Sequence, residues 1–259
     1  MESRNQDNQP LLVDSNSGVL SFSADGNVNW PRALRLIRQA QSSRVGQMVV
    51  TTSLSQMYTM LDRMQQLDGM KKQHAICLEF TPAVELKLTQ CLFEEAVHVS
   101  TVVGGLHRRY IFLRLPEVAL PIVPVIRSFR HMKLTPVLLS PERFSRYLDN
   151  ASDLVRCVQS GALIQLSAAS LMDQTDRDRV QFCKFLIRKN LCHLVASETG
   201  RYHDLPISLG DAYQTITRWF GRSRADAICC DNPGKVFVGE DLRAPTSRRR
   251  KLNPFSRSA

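Results

Sequence analysis

Two apolar runs joined by one helix-length segment constrain this chain more than any other feature. The first, Thr135–Leu139, reads Thr-Pro-Val-Leu-Leu and stops abruptly at Ser140-Pro141-Glu142-Arg143. Helical spacing follows, and then a second run over residues 162–168, Ala-Leu-Ile-Gln-Leu-Ser-Ala. Continuous apolar runs are the mark of parallel strands covered on both faces, and parallel neighbours need a crossover, usually a helix. The unit is therefore strand, turn, helix, strand. In such sheets and barrels the chemistry sits beyond the carboxyl ends of the strands. The turn Ser140–Arg143 is where a site is expected.

The same alternation predicts strands over residues 11–14, 46–52, 74–80, 109–115, 135–139, 162–168 and 192–197. Helices are predicted from Pro31 through Ala40, over 55–67, 82–99 (with a short strand at 99–103 as the alternative), from Val125 to Met132, over 170–189, and near 208–220 and 223–230. The methionine stripe Met57, Met60 and Met64 reads as packing. Seven strand–helix units in alternation predict a closed or nearly closed α/β barrel, a distorted (β/α)7 TIM-type fold. A chain of 259 residues suits one such domain over 11–242. A polar leader, 1–10, and a basic flexible tail, 243–259, flank it.

Composition narrows the function classes. No apolar run reaches 18 residues, and the polar start lacks a signal-peptide pattern, so a cytoplasmic protein is expected. The seven cysteines are scattered and form no CxxC pair, which points to reduced thiols rather than disulfides or zinc. The net charge of +10 invites a nucleic-acid reading. Aromatics at 7%, without basic interleaving or a helix-turn-helix or RNP signature, argue against it. Much of the excess is local. Residues 243–259 carry six arginines and lysines and no acid, which suits a solubilising tail or an anchor on an anionic membrane inner face.

The Ser-Pro-Glu-Arg turn and the later Gly161-Ala-Leu-Ile-Gln-Leu-Ser-Ala-Ala-Ser-Leu171 resemble the PHP-type protein-tyrosine phosphatases of bacterial capsule and exopolysaccharide operons, which carry His-Pro-Glu-Arg there. The resemblance spans residues 11–242. It implies a PHP-type barrel whose strand ends hold manganese with His, Asp and Glu. Such a cluster supplies hydroxide at neutral pH and screens the phosphate oxygens.

Carried over position by position, the opening His-x-His falls on Asn16 and Gly18, and the Asp-Asp-Gly loop on Ala24-Asp25-Gly26. Thr-Pro-His-His falls on Thr52-Ser53-Leu54-Ser55, the strand-three glutamate on Glu79, and the strand-four acid on Arg114. The turn histidine falls on Ser140. The final Ser-Asp-Ala-His falls on Ser197-Glu198-Thr199-Gly200, and a downstream arginine near Leu205, with Arg201 a neighbour. Pro141, Glu142, Arg143, Ser167, Ser170, Ser197, Asn232 and Pro233 match the family.

The frame is thus expected to survive while the imidazoles at Asn16, Gly18, Leu54, Ser140 and Gly200 are absent. Asp25, Glu79 and Glu198 are the candidate metal ligands, holding Mn2+ or Mg2+ weakly or not at all. Their alternative is pairing with arginines. None of the chain's own histidines falls on a ligand position; His203, near Glu198, is the one to check. Arg143 is the candidate catalytic residue, clamping a phosphate in bidentate fashion. Its alternative is a salt bridge to Asp149 or Asp153. Arg114 is expected among the acids, with Glu79 its partner, standing in for the missing cation. Two functions follow from the resemblance. One is a degenerate, non-catalytic or weakly active regulator of a polysaccharide-synthesis tyrosine kinase, binding its tyrosine-rich tail. The other is a working metal-dependent tyrosine phosphatase with a reduced site.

Overall fold

A computed structural model of the chain describes residues 10–21, 27–88, 109–116, 120–200 and 209–242. Seven parallel strands lie side by side in chain order: β1 Leu12–Ser17, β2 Val45–Ser53, β3 Glu79–Lys87, β4 Tyr110–Arg114, β5 Thr135–Leu139, β6 Leu163–Ser167 and β7 Leu194–Ala196. Backbone hydrogen bonds from Glu198 N to Asn16 O, 3.1 Å, and from Gly18 N to Thr199 O, 2.7 Å, then link the seventh strand's end to the first. The sheet is a nearly closed barrel, as the alternation predicts.

Alternation along each strand separates two cores. Met48, Val50, Val84, Ile111, Leu113, Leu138, Ile164 and Leu166 pack outward against the helices. Val49, Ala83, Tyr110, Phe112, Val137, Leu139, Leu163 and Leu194 form the inner core. The inner stripe changes character along the strand. On β6 Leu163 gives way to Gln165 and Ser167, and on β2 Val49 gives way to Thr51. The lower half of the barrel is apolar and the upper half polar. A helix, Asn232–Val238, closes the lower end, where Val236 and Leu242 join the inner core. Tyr110 Oη donates to Glu240 O at 2.5 Å and accepts from Leu242 N at 2.9 Å, which fixes that floor.

Several boundaries differ from the sequence reading, each for a physical reason. The third strand lies later, at Glu79–Lys87 instead of 74–80. Its residues Phe80 to Lys87 alternate, but Pro82 disguises them as the start of a helix. A proline is tolerated there because β4 pairs with β3 only from Glu85 onward, so Pro82 has a single partner strand. Residues 82–87 of the expected helix 82–99 are therefore strand, and residues 89–108 lie outside the described residues. The helix Ile122–His131 begins before Val125, since Pro124 falls in its first turn, where the missing N–H has no helical partner to lose.

The long helix expected over 170–189 is two, Ala168–Met172 and Arg177–Arg188. Asp176 accepts from Arg179 N at 2.9 Å and caps the second. The last helix passes from Arg222–Asp226 through a wide turn, Ala227–Asp231, into Asn232–Val238. That turn absorbs the missing N–H of Pro233.

Candidate active site

The polar upper half of the barrel brings together residues from every strand end. Asp14 and Asn16 come from β1, Thr51 from β2, Glu85 and Lys87 from β3, and Arg114 from β4. Ser140, Glu142 and Arg143 follow β5, Gln165 and Ser167 close β6, and Ser197 and Glu198 follow β7. A cavity of about 390 Å3 opens among Thr52, Ser53, Glu85, Lys87, Arg114 and Gly200.

Each of the described carboxylates here has at least one bonded oxygen, while Glu142 Oε2 is buried with no hydrogen-bond partner among the described residues. Glu85 is buried and its Oε1 accepts from Arg114 Nε at 2.8 Å and Nη2 at 2.5 Å. Glu198 accepts from Ser140 Oγ at 2.5 Å on one oxygen and from Arg143 Nη2 at 2.9 Å on the other. Arg143 also donates to Ser167 Oγ at 3.1 Å. The guanidinium thus ties the turn after β5 to the ends of β6 and β7. Asp14 accepts from Ser197 N at 3.0 Å and Ser197 Oγ at 2.5 Å, and burial pushes its pKa up to about 6. Glu142 is fully buried and accepts from Ser167 N at 2.9 Å. Burial, and then the charge of Glu198, raise its pKa to about 7.

Two of these positions hold strained backbone. Ser140 and Glu198 are non-glycine residues at φ 47° and 53°, and their side chains bond each other. Left-handed backbone of this kind costs roughly 1–3 kcal/mol per residue and persists where surrounding bonds over-determine it. The Ser140–Glu198–Arg143 linkage is that determinant. Gly200, at φ +84°, closes against Gly18, and a Cβ at 200 would collide with the Gly18 carbonyl oxygen. The positions read as lost imidazoles at 18 and 200 form a backbone seam that joins the strand ends.

Glu198 and Arg114 sit at the mouth as expected, but two expectations are corrected. Glu79 begins β3 at the opposite end from the mouth, six residues or about 20 Å below Glu85. It is exposed and accepts from Gln47 Nε2 at 2.8 Å. The partner of Arg114 is therefore Glu85. Arg143 bridges Glu198, whereas Asp153 pairs with Arg156 instead. Asn16 is buried in the mouth and accepts from Thr51 Oγ1 at 2.7 Å, and Leu54 begins the turn after β2. Asp25 and His203 lie outside the described residues.

Of the described histidines, His74 follows a helix, His131 ends one, and His193 precedes β7 at the barrel's lower end. His193 Nδ1 accepts from Ile164 N at 3.0 Å, and burial, then Arg224, depress its pKa to about 4. Sequence reasoning missed Glu85, Asp14 and Lys87. The period-two pattern of residues 80–87 was the available signal for the β3 pair.

As bonded here, the described groups of the mouth do not fit a divalent cation. Oxygen-loving cations need several free carboxylate or imidazole donors around one point. Here Glu85 and Glu198 are each salt-bridged to an arginine, Asp14 and Glu142 are bonded inward, and two guanidinium groups stand among them. Among the described residues no group of three or more His, Cys, Asp or Glu is placed to hold a metal.

A family model described as capsular polysaccharide synthesis, CpsB/CapC, matches residues 12–238. The putative tyrosine-protein phosphatase CapC of Staphylococcus aureus is 23% identical over 209 residues, 76% of this chain and 80% of that protein. The tyrosine-protein phosphatase CpsB of Streptococcus agalactiae is 28% identical over 110 residues, 40% of this chain and 45% of that protein. Among solved structures, one from the study of YwqE of Bacillus subtilis and CpsB of Streptococcus pneumoniae, described there as metal-dependent tyrosine phosphatases, superposes with a TM-score of 0.78 at 18% identity. It covers 92% of this chain and 100% of that one. The 5-methylcytosine deaminase of Klebsiella pneumoniae follows at a TM-score of 0.55 and 13% identity, covering 88% and 75%. At these identities the structural likeness speaks for the fold.

Proposed function

The chain belongs to the CpsB/CapC family of capsular polysaccharide synthesis, and from that premise we propose that it is a tyrosine-phosphatase-like member that binds a phosphorylated partner with little or no hydrolysis. One observation carries the reading. Of the described mouth carboxylates, Glu85 and Glu198 are ion-paired with Arg114 and Arg143, and Asp14 and Glu142 are hydrogen-bonded inward, which supports a mouth that offers a metal pair a poor ligand set. Two-metal hydrolysis stabilises attacking and leaving oxygens between fixed cations, and a guanidinium supplies charge without generating hydroxide.

The partner that the family context favours is the tyrosine-rich tail of a polysaccharide-synthesis kinase. The protein would work in the cytoplasm, with the basic segment 243–259 drawing it to the anionic inner face of the membrane. Among the described residues no helix is long and apolar enough to cross a membrane.

The test is hydrolysis of an aryl phosphate and a phosphotyrosine peptide with added Mn2+. Turnover is expected to be far below the ordinary enzyme range of about 1–10³ s⁻¹. Turnover within that range, lost on Glu198→Ala, would establish the working phosphatase with a reduced metal site instead.

A further inference from the structure

We propose that the cavity at the ends of β2, β3 and β4 is a metal-independent phosphate site, in which Lys87 and Arg114 supply the positive charge and Glu85 holds Arg114 in position. The inference rests on the reading of the protein as a phosphate binder, and it moves the ligand's contacts away from Arg143.

The geometry supports it in three ways. First, Lys87 and Arg114 are direct partners in the parallel pairing of β3 and β4, so both cations stand side by side on the rim. Both line the 390 Å3 cavity, a volume inside the roughly 300–1,000 Å3 range of small-molecule sites. Second, among the described residues lining the cavity two cations stand against one carboxylate, Glu85. Lys87 is exposed and has no ion pair among the described residues. Glu85 grips Arg114 through Nε and Nη2 on a single oxygen, which fixes the guanidinium plane beside the cavity. A planar guanidinium held this way is pre-organised for an oxyanion, and the neighbouring ammonium adds a mobile donor.

Third, the rest of the lining matches the ligand. Thr52, Ser53 and Gln56 form a neutral polar wall on one side, tied together where Ser53 Oγ donates to Gln56 Oε1 at 3.1 Å, and Leu20 and Met60 an apolar wall on another. Arg143 is a poor competitor for the phosphate. It is spent on Glu198 and Ser167, and releasing it would leave the buried Glu198 unpaired. Binding here needs no cation from solution, because Arg114 and Lys87 carry the charge themselves.

The experiment uses the full chain in EDTA. Calorimetric titration with inorganic phosphate is expected to show saturable binding that weakens with salt and is unchanged when Mn2+ replaces the chelator. Lys87→Glu is expected to weaken it by at least about tenfold, the loss of one charge-assisted contact. Lys87→Ala, milder at an exposed rim, is expected to weaken it in the same direction, with unchanged circular dichroism confirming the fold. Phenyl phosphate is the second ligand. Equal affinity identifies free phosphate as sufficient, and tighter binding identifies a phosphorylated phenol that uses the apolar wall. No saturable binding in EDTA, binding that requires Mn2+, or wild-type affinity in Lys87→Glu would overturn the proposal. Any of these would leave the hydrolysis result untouched, and hydrolysis with Mn2+ would leave binding in EDTA untouched, so the two readings fail separately.

Discussion

Replacing Glu142 with glutamine is expected to change how stability depends on pH. Glu142 is fully buried beneath the mouth and accepts from Ser167 N. Glutamine can keep that bond through its amide oxygen while removing the ionisable group. The carboxyl has a folded pKa of about 7 against 4.5 unfolded. A folded pKa above the unfolded one means the native state binds the proton more tightly. The associated stability is therefore fully present below pH 4.5 and is lost as pH rises through 7.

At about 1.4 kcal/mol per pKa unit, the loss amounts to roughly 3 kcal/mol, with about 2–3 kcal/mol of it falling between pH 5 and pH 8. Asp14, whose pKa is raised to about 6, contributes a slope of the same sign in both proteins. The difference between wild type and Glu142→Gln therefore isolates Glu142. Urea unfolding at pH 5 and pH 8 is the assay. The variant is expected to gain about 2–3 kcal/mol on wild type between those two conditions, or roughly 5–10 °C in melting temperature. If the two proteins keep a constant stability difference across this range, Glu142 is not being forced to ionise in a buried site, and the electrostatic account of the mouth is wrong.

Other expectations follow from the same geometry. Arg114→Met removes the guanidinium from the buried Glu85 carboxylate and is expected to cost about 1–3 kcal/mol at pH 8 by urea unfolding. A double variant with Glu85→Gln should recover most of that loss, and additive losses would show that the pair is uncoupled. Gly200→Ala places a Cβ in left-handed backbone against the Gly18 carbonyl. It is expected to lose at least about 2 kcal/mol in the same assay, and a neutral result would show that the seam can open. Removing 243–259 should leave the melting temperature nearly unchanged and weaken binding to anionic vesicles in a salt-dependent way. A large drop in melting temperature would place the tail in the core.

The parts of the fold that announced themselves were those where one physical signal dominated. Thr135–Leu139 was readable to the residue because an apolar run meets Ser-Pro, where the chain must turn. β3 was misplaced because Pro82 overrides the period-two pattern locally, while the pairing that tolerates it is a property of the assembled sheet. That displacement hid Glu85, and with it the partner of Arg114. The need for a carboxylate beside Arg114 was legible, since a charge on an apolar strand wants a partner. Which carboxylate it would be depended on register. The interruption between Met172 and Arg177 was written in Asp176 as a cap, but helical spacing on both sides masked it. The burial of Asp14 and Glu142 is a tertiary fact, set by seven strand ends converging, and no local pattern encodes it.

The helix that closes the lower end has a consequence for how the chain comes to be folded at all. Tyr110 and Leu242, which meet there, are separated by 132 residues of sequence. At ordinary synthesis rates that interval lasts on the order of ten seconds. Through it, Val49, Ala83, Phe112 and Val137 can line up as a barrel wall while the residues that cap them, Val236 and Leu242, are still unmade. Contacts this distant in sequence form late, so any wall that assembles before Val236 and Leu242 are made has its apolar lower end uncovered.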